Sequence, residues 1–233
     1  MVLKTDFLKK EAYLFVFDKC SISLQTIIQK PCVMRNGKST KDRLLIEAFK
    51  LFTSKPYDRV TFADLEQATG LSRGAILYHV KTKESLFLSV IEKFIFEINS
   101  ISSISNDSQS DLKLILARFI DSCRKEKKEM ADYGICNVNN AMLNIIISAF
   151  YSLPKMREFA FKWLSQEKVT WMNILEKAKA QKEIRSDVDV ELFAGLFENV
   201  FLGTYLGGVA YIGGYQIDQL EREIMQLYQL IKI

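Results

Sequence analysis

Histidine, proline and paired cysteine are scarce in this sequence, and each shortage excludes something. A single histidine, His79, leaves no material for a histidine-rich metal centre. Three prolines and ten glycines among 233 residues exclude a collagen-like or low-complexity chain. The four cysteines, Cys20, Cys32, Cys123 and Cys136, contain no CxxC pair and read as reduced thiols of a cytoplasmic protein. No metal and no cofactor is expected. The only early apolar stretch, Ala12 to Phe17, is short and flanked by charges of both signs, unlike a secretory signal. From Leu192 to Ile212 the one formal charge is Glu198. That length suits a membrane span, but Glu198, Asn199 and the glycines predict a helix buried in protein, with no membrane partner.

What is present is apolar and helical. Apolar residues make up 48% of the chain, enough to bury a core without staples. They recur at spacings of three and four, which predicts an all-α fold. Residues 39–53 place Leu44, Leu45, Ala48, Leu51 and Phe52 on one face, with Ser39 and Asp42 as a capping box. Thr61 and Asp64 form a second box, and Gly70 supplies a left-handed stop. Ser72 caps a short helix through His79, and Thr82 caps a longer one carrying Leu86, Val90, Phe94, Ile98 and Ile101. Ser100–Ser110 is rich in Ser, Asn and Asp and predicts a break. Further helices are expected near 111–129, 137–152, 155–182, 188–211 and 217–232. Residues 1–33 lack a clear period. They read as an N-terminal extension, with Met34 a candidate translation start.

Two short helices joined by Ala68-Thr69-Gly70-Leu71-Ser72 make a helix-turn-helix pattern, whose second helix suits a DNA major groove. Charge location agrees. Residues 34–85 hold ten basic and six acidic residues, a net +4, whereas 101–233 hold 16 basic and 17 acidic. Candidate DNA contacts are Lys41, Thr61, Ser72, Arg73, Gly74, Ala75, Tyr78, His79 and Lys83. Arg73 suits a guanine edge and Ala75 a thymine methyl, while Gly74 allows close backbone approach. The Thr61 backbone N–H and the Lys83 ammonium suit phosphates.

The uninterrupted run from Thr61 through Leu86, with Glu47-Ala48-Phe49-Lys50-Leu51-Phe52 and Tyr57-Asp58 before it, resembles the TetR family of transcriptional regulators over about residues 40–95. It departs from the family pattern at Leu77, Val80 and Lys81, where tyrosine, phenylalanine and proline are usual. The resemblance implies a DNA-binding domain at 34–85 and a helical ligand-binding and dimerisation domain at 86–233. It implies a homodimer on double-stranded operator DNA, acting as a repressor released by a small-molecule inducer. By the same resemblance, 188–232 would supply the dimer surface.

The helix at 155–182 carries a stripe that includes Trp163 and Trp171, with Glu167 one turn from each. Trp163, Glu167 and Trp171 are candidate ligand contacts, as are Glu198 and Asn199. Glu167→Gln is then expected to weaken a cationic inducer. Gly195, Asn199, Gly203 and Gly207 recur every four residues, and small residues let helices approach closely. Gly195, Gly203, Gly207, Leu220, Ile224 and Leu227 are therefore candidate dimer residues. The rival readings are a helical enzyme or carrier and a protein-docking module. Against an enzyme stand the lone histidine and the absence of a Gly-rich phosphate loop.

Overall fold

The computed structural model describes residues 39–97, 100–104 and 111–233; the 1–33 extension and most of the predicted break lie outside them. Ser39–Ile233 form one compact unit. Among the described residues there are helices and a single isolated bridge, Ile184 to Lys232, and no strand.

Helix α1 spans Thr40–Ser54, α2 Phe62–Thr69, α3 Arg73–Val80 and α4 Lys83–Ile91. The predicted caps form. The Ser39 hydroxyl accepts the Asp42 N–H, Thr61 and Asp64 close a reciprocal box, and Ser72 accepts the Ala75 N–H. Gly70 stops α2 at φ 66°, a left-handed conformation that a side chain would disfavour. α1 packs on α2 and α4 through Leu44, Leu45, Ala48, Phe49 and Phe52. Leu51, expected on that face, is half-buried, and Phe49 takes the inner position. Phe49 stacks on Phe94 at 4.3 Å, and Phe52 and Tyr57 both meet Phe87.

The fourth helix does not continue as one α-helix to Ile101. After Ile91 it passes into a π-helical turn over Glu92–Phe96. The wider turn brings Phe94, Ile95 and Phe96 together at one cavity. α5 (Ile101–Ile104) follows, then α6 (Leu112–Asp132), α7 (Val138–Ser152), α8 (Met156–Ala180), α9 (Val190–Gly207) and α10 (Ile217–Ile231). α9 packs on α8 and α10, and α10 on α6. No loop marks the expected 85/86 domain boundary, because α4 runs through it.

Asn139 clasps the end of α9 to the loop before α10. Its amide donates to the Tyr205 carbonyl at 2.8 Å and accepts the Tyr215 N–H at 2.8 Å. Gly208 fits there because a Cβ would lie 2.5 Å from both Asn139 Oδ1 and Tyr215 N. Gly214, at φ 75°, would also place a Cβ 2.6 Å from Asn139 Oδ1.

Candidate functional site

The outer face of α3 is the first candidate site. Ile76 and Val80 are buried and anchor the helix on the core. Ser72, Arg73, Gly74 and Tyr78 are exposed, and Ala75 and His79 half so. Tyr78, 85% exposed, meets the His79 ring edge-on at 5.3 Å. A large aromatic left this open suits stacking or phosphate contact better than packing. Val80, in the position where phenylalanine is usual, serves the core. Lys81 turns the chain into α4 at φ 46°, an unfavourable backbone for a non-glycine residue.

Several expected DNA contacts are engaged elsewhere in the free protein. The Thr61 N–H donates to Asp64 Oδ2 at 2.8 Å, so this N–H is not open to phosphate. Asp64 pairs with Lys55 at 2.7 Å, and the hydrogen bonds from Lys55 and Thr61 hold its carboxyl far below the usual range. Lys83 donates to the carbonyls of Tyr57 and Val60, each at 3.1 Å, and lies 4.3 Å over the Tyr57 ring. It ties the loop before α2 to the start of α4, with one N–H remaining. The Arg73 guanidinium lies across the Phe62 ring at 4.9 Å, and its backbone N–H donates to Glu66 Oε1 at 2.6 Å. Glu66 thus caps the N-terminus of α3 across the turn. Lys41 stands exposed in the first turn of α1.

The second candidate site is a cavity of about 280 Å³ between the π-helical turn after α4 and helices α6, α7, α8 and α9. Aromatic rings dominate its wall: Phe94, Phe96, Phe150, Trp163, Phe201 and Tyr205. Trp163 lines it as expected, its indole N–H held by the Phe96 carbonyl at 3.2 Å. The polar group that sequence reasoning missed is Glu126 of α6, only 4% exposed. Its two carboxylate oxygens accept hydroxyl hydrogen bonds from Tyr205 at 3.2 Å and Tyr215 at 3.0 Å. Burial first, then the Glu126 charge, pushes both tyrosine pKa values up, so the hydroxyls stay protonated donors. The same two causes push the Cys123 thiol up to about 12.

The other expected ligand residues are placed differently. Glu167 is buried and accepts from Ser100 Oγ at 2.6 Å, Ile101 N at 2.8 Å and Ser102 Oγ at 2.9 Å. It fixes the start of α5 rather than facing the large cavity. Trp171 is buried and stacks on Phe197 at 5.2 Å. Both border a recess of only about 20 Å³, with Glu198 beside them. Burial and the Glu167 charge raise the Glu198 pKa. Asn199 points outward, exposed on α9.

The expected dimer residues divide. Leu220 and Ile224 are fully buried within the unit, because α10 turns its stripe onto its own neighbours; they cannot form a dimer face. Leu227 is half-buried. On α9, Gly203 and Gly207 are exposed, Gly195 is half-buried, and a Cβ on any of the three would meet nothing within 4 Å. Leu192 (56%) and Leu206 (59%) are exposed on the same helix. The expectation that α9 is buried in its own protein therefore fails. Val190–Ala210 is long and apolar enough to cross a membrane by length and composition, and only 17% of its apolar window is buried.

A short recognition helix anchored by two buried residues, on a body that encloses a cavity, defines a helix-turn-helix DNA-binding protein with a helical second domain. Residues 44–90 match the family model of bacterial regulatory proteins, tetR family. The chain is 23% identical to the HTH-type transcriptional repressor KstR2 of Mycolicibacterium smegmatis, over 66% of this chain and 72% of that protein. Its fold is similar to that of the SmeT–triclosan complex, with TM-score 0.64 and 14% identity over 84% of this chain and 93% of the other. It is also similar to a transcriptional regulator from Saccharomonospora viridis in complex with choline, with TM-score 0.60 and 15% identity over 83% and 97%. The chain carries the DNA-binding domain of the TetR family and is a DNA-binding transcriptional regulator.

Proposed function

We propose that this regulator is a cytoplasmic homodimeric repressor that leaves its operator when a small molecule fills the cavity. One observation carries the reading. The cavity wall at Phe94 and Phe96 lies in the π-helical turn that continues α4 directly, and the first residue of α4, Lys83, follows the recognition helix by three positions. An occupant pressing on that wall acts on the element that sets the pose of α3. The triclosan and choline complexes are of proteins with this fold, which supports a small molecule as effector. KstR2, named a repressor, supports repression over activation.

The uncovered apolar face of α9 supports self-association, since a second copy laid on Leu192, Leu206 and the three glycines would remove it from water. Two copies would read a palindrome, which one helix-turn-helix cannot. The domains divide in this reading into 34–85 for DNA and 86–233 for effector and partner subunit. Candidate base and phosphate contacts are Ser72, Arg73, Gly74, Ala75, Tyr78 and His79, with Lys41 and the remaining N–H of Lys83 on the flanks.

Selection of bound duplexes from a random pool tests the reading. A palindromic consensus, with affinity falling steeply as salt rises, is expected. Failure to retain any duplex at low salt refutes it.

A further inference from the structure

We infer that Phe62 and Glu66 of α2 are positioning residues that set base specificity, acting through Arg73, which they hold ready for a base edge. The inference rests on the reading of α3 as the recognition helix and adds the residues that aim its arginine.

Geometry carries it. Phe62 and Glu66 lie four residues apart on one face of α2, and both reach across the turn to Arg73. Glu66 Oε1 accepts the Arg73 N–H at 2.6 Å and fixes the backbone from which the side chain springs. The Phe62 ring carries the guanidinium at 4.9 Å and fixes its far end. α2 serves as a firm platform, because Leu65 and Thr69 are buried and Arg43 of α1 donates to the Thr69 carbonyl at 3.1 Å. The first turn of α3 is tied as well: the Ser72 hydroxyl accepts the Ala75 N–H, and the Ser72 carbonyl accepts the Ile76 N–H.

The kind of contact matters as much as its place. Arg43, Lys50, Lys55 and Lys93 each commit an N–H to a protein oxygen. A ring face holds a cation without taking an N–H, and among the described residues no oxygen takes up the Arg73 guanidinium. Its donors stay available for the two acceptors of a guanine edge. Arginine loses rotamer freedom on binding, and a guanidinium already laid on Phe62 has less of it to lose. The gain falls on the base pair that Arg73 reads, so it adds to discrimination rather than to affinity at large.

The test uses the full chain and the duplex selected from a random pool, with each base pair of one half-site replaced in turn. The ratio of affinities for the selected and the replaced duplex is read at each position, and a uniform change of affinity cancels in it. Arg73→Ala identifies the position that Arg73 reads. There Phe62→Leu and Glu66→Ala are expected to lower the ratio about threefold or more, leaving other positions within about twofold of wild type. Phe62→Tyr keeps the ring and Glu66→Gln keeps an acceptor oxygen, so both are expected to match the wild type. An unchanged ratio in folded Phe62→Leu or Glu66→Ala removes that residue from the role, and in both it overturns the inference. Equal losses at every position assign α2 to stability alone and also overturn it. The two side chains are tested separately, so one variant that fails to fold leaves the other to decide. A palindrome at which Arg73→Ala loses no position leaves the regulator reading intact and overturns the inference, whereas a chain that retains no duplex refutes both.

Discussion

Replacing Lys83 by methionine separates two roles that meet in one ammonium. The stem is kept, while the charge, two hydrogen bonds of 3.1 Å and the 4.3 Å contact with the Tyr57 ring are removed. A hydrogen bond from a charged donor contributes about 1.5 kcal/mol at the low end of its range, which suits a half-exposed group. The ring contact adds roughly 0.5 kcal/mol. Tyr57 O still accepts the Val60 N–H at 3.2 Å, which softens the loss. Together these come to about 3.5 kcal/mol, and the softening leaves a net loss of about 2–3 kcal/mol. For a unit of this size each kcal/mol moves Tm by roughly 2–4 °C, so Lys83→Met should melt about 5–10 °C below the wild type in far-UV circular dichroism. A Tm within about 1 °C of wild type refutes the assignment of Lys83 to the loop. The salt dependence of duplex binding reads the other role. A phosphate held by the remaining N–H lowers the slope by about 0.9, and an unchanged slope removes Lys83 from the DNA contacts.

Three further outcomes are expected. Gly208→Ala forces a Cβ against the Asn139 clasp and should lower unfolding free energy by about 2 kcal/mol in urea titrations; a loss under about 0.5 kcal/mol means the clasp gives way freely. Glu167→Gln weakens three hydrogen bonds at the start of α5 and should cost about 1–3 kcal/mol in urea titrations; a loss under about 0.5 kcal/mol refutes the assignment of Glu167 to that turn. The Cys123 thiol ionises near 9 when unfolded but only at about 12 when folded, so its contribution is present below pH 9 and is lost as pH rises through that window. Cys123→Ala should flatten the fall of stability between those pH values, and a fall as steep as in wild type refutes it.

Most of the helical framework is legible in the sequence because its caps are local. Ser39, Thr61, Ser72, Thr82, Asp111 and Asn137 each accept an N–H within three residues. The recognition helix is legible for the same reason, and Gly70 marks its turn. The cavity is not local, and its key residue is disguised. Glu126 sits in Arg124-Lys125-Glu126-Lys127-Lys128-Glu129, which reads as a solvated face. The one signal is its spacing from Phe119, Cys123 and Met130, which places it on the buried stripe of α6. Glu167 shows the converse. Its neighbours on α8 suggested a ligand handle, but its partners, Ser100 to Ser102, come from more than sixty residues away and were invisible to periodicity. The α10 stripe is as regular as a dimer seam, yet regularity alone does not say whether the covering surface belongs to the same chain.

Phe94 has a consequence for how such a regulator can diversify. The ring stacks on Phe49 of α1 and also forms part of the cavity wall. Enlarging the pocket by trimming Phe94 would hollow out the DNA-binding core at about 3–5 kcal/mol, a large share of a typical domain's stability. Leu164, Leu202 and Phe150 line the same cavity but are each more than a third exposed, so changes there cost far less. New ligand preferences can therefore accumulate on the α7, α8 and α9 walls, while the wall at the π-helical turn is held nearly constant by its second duty.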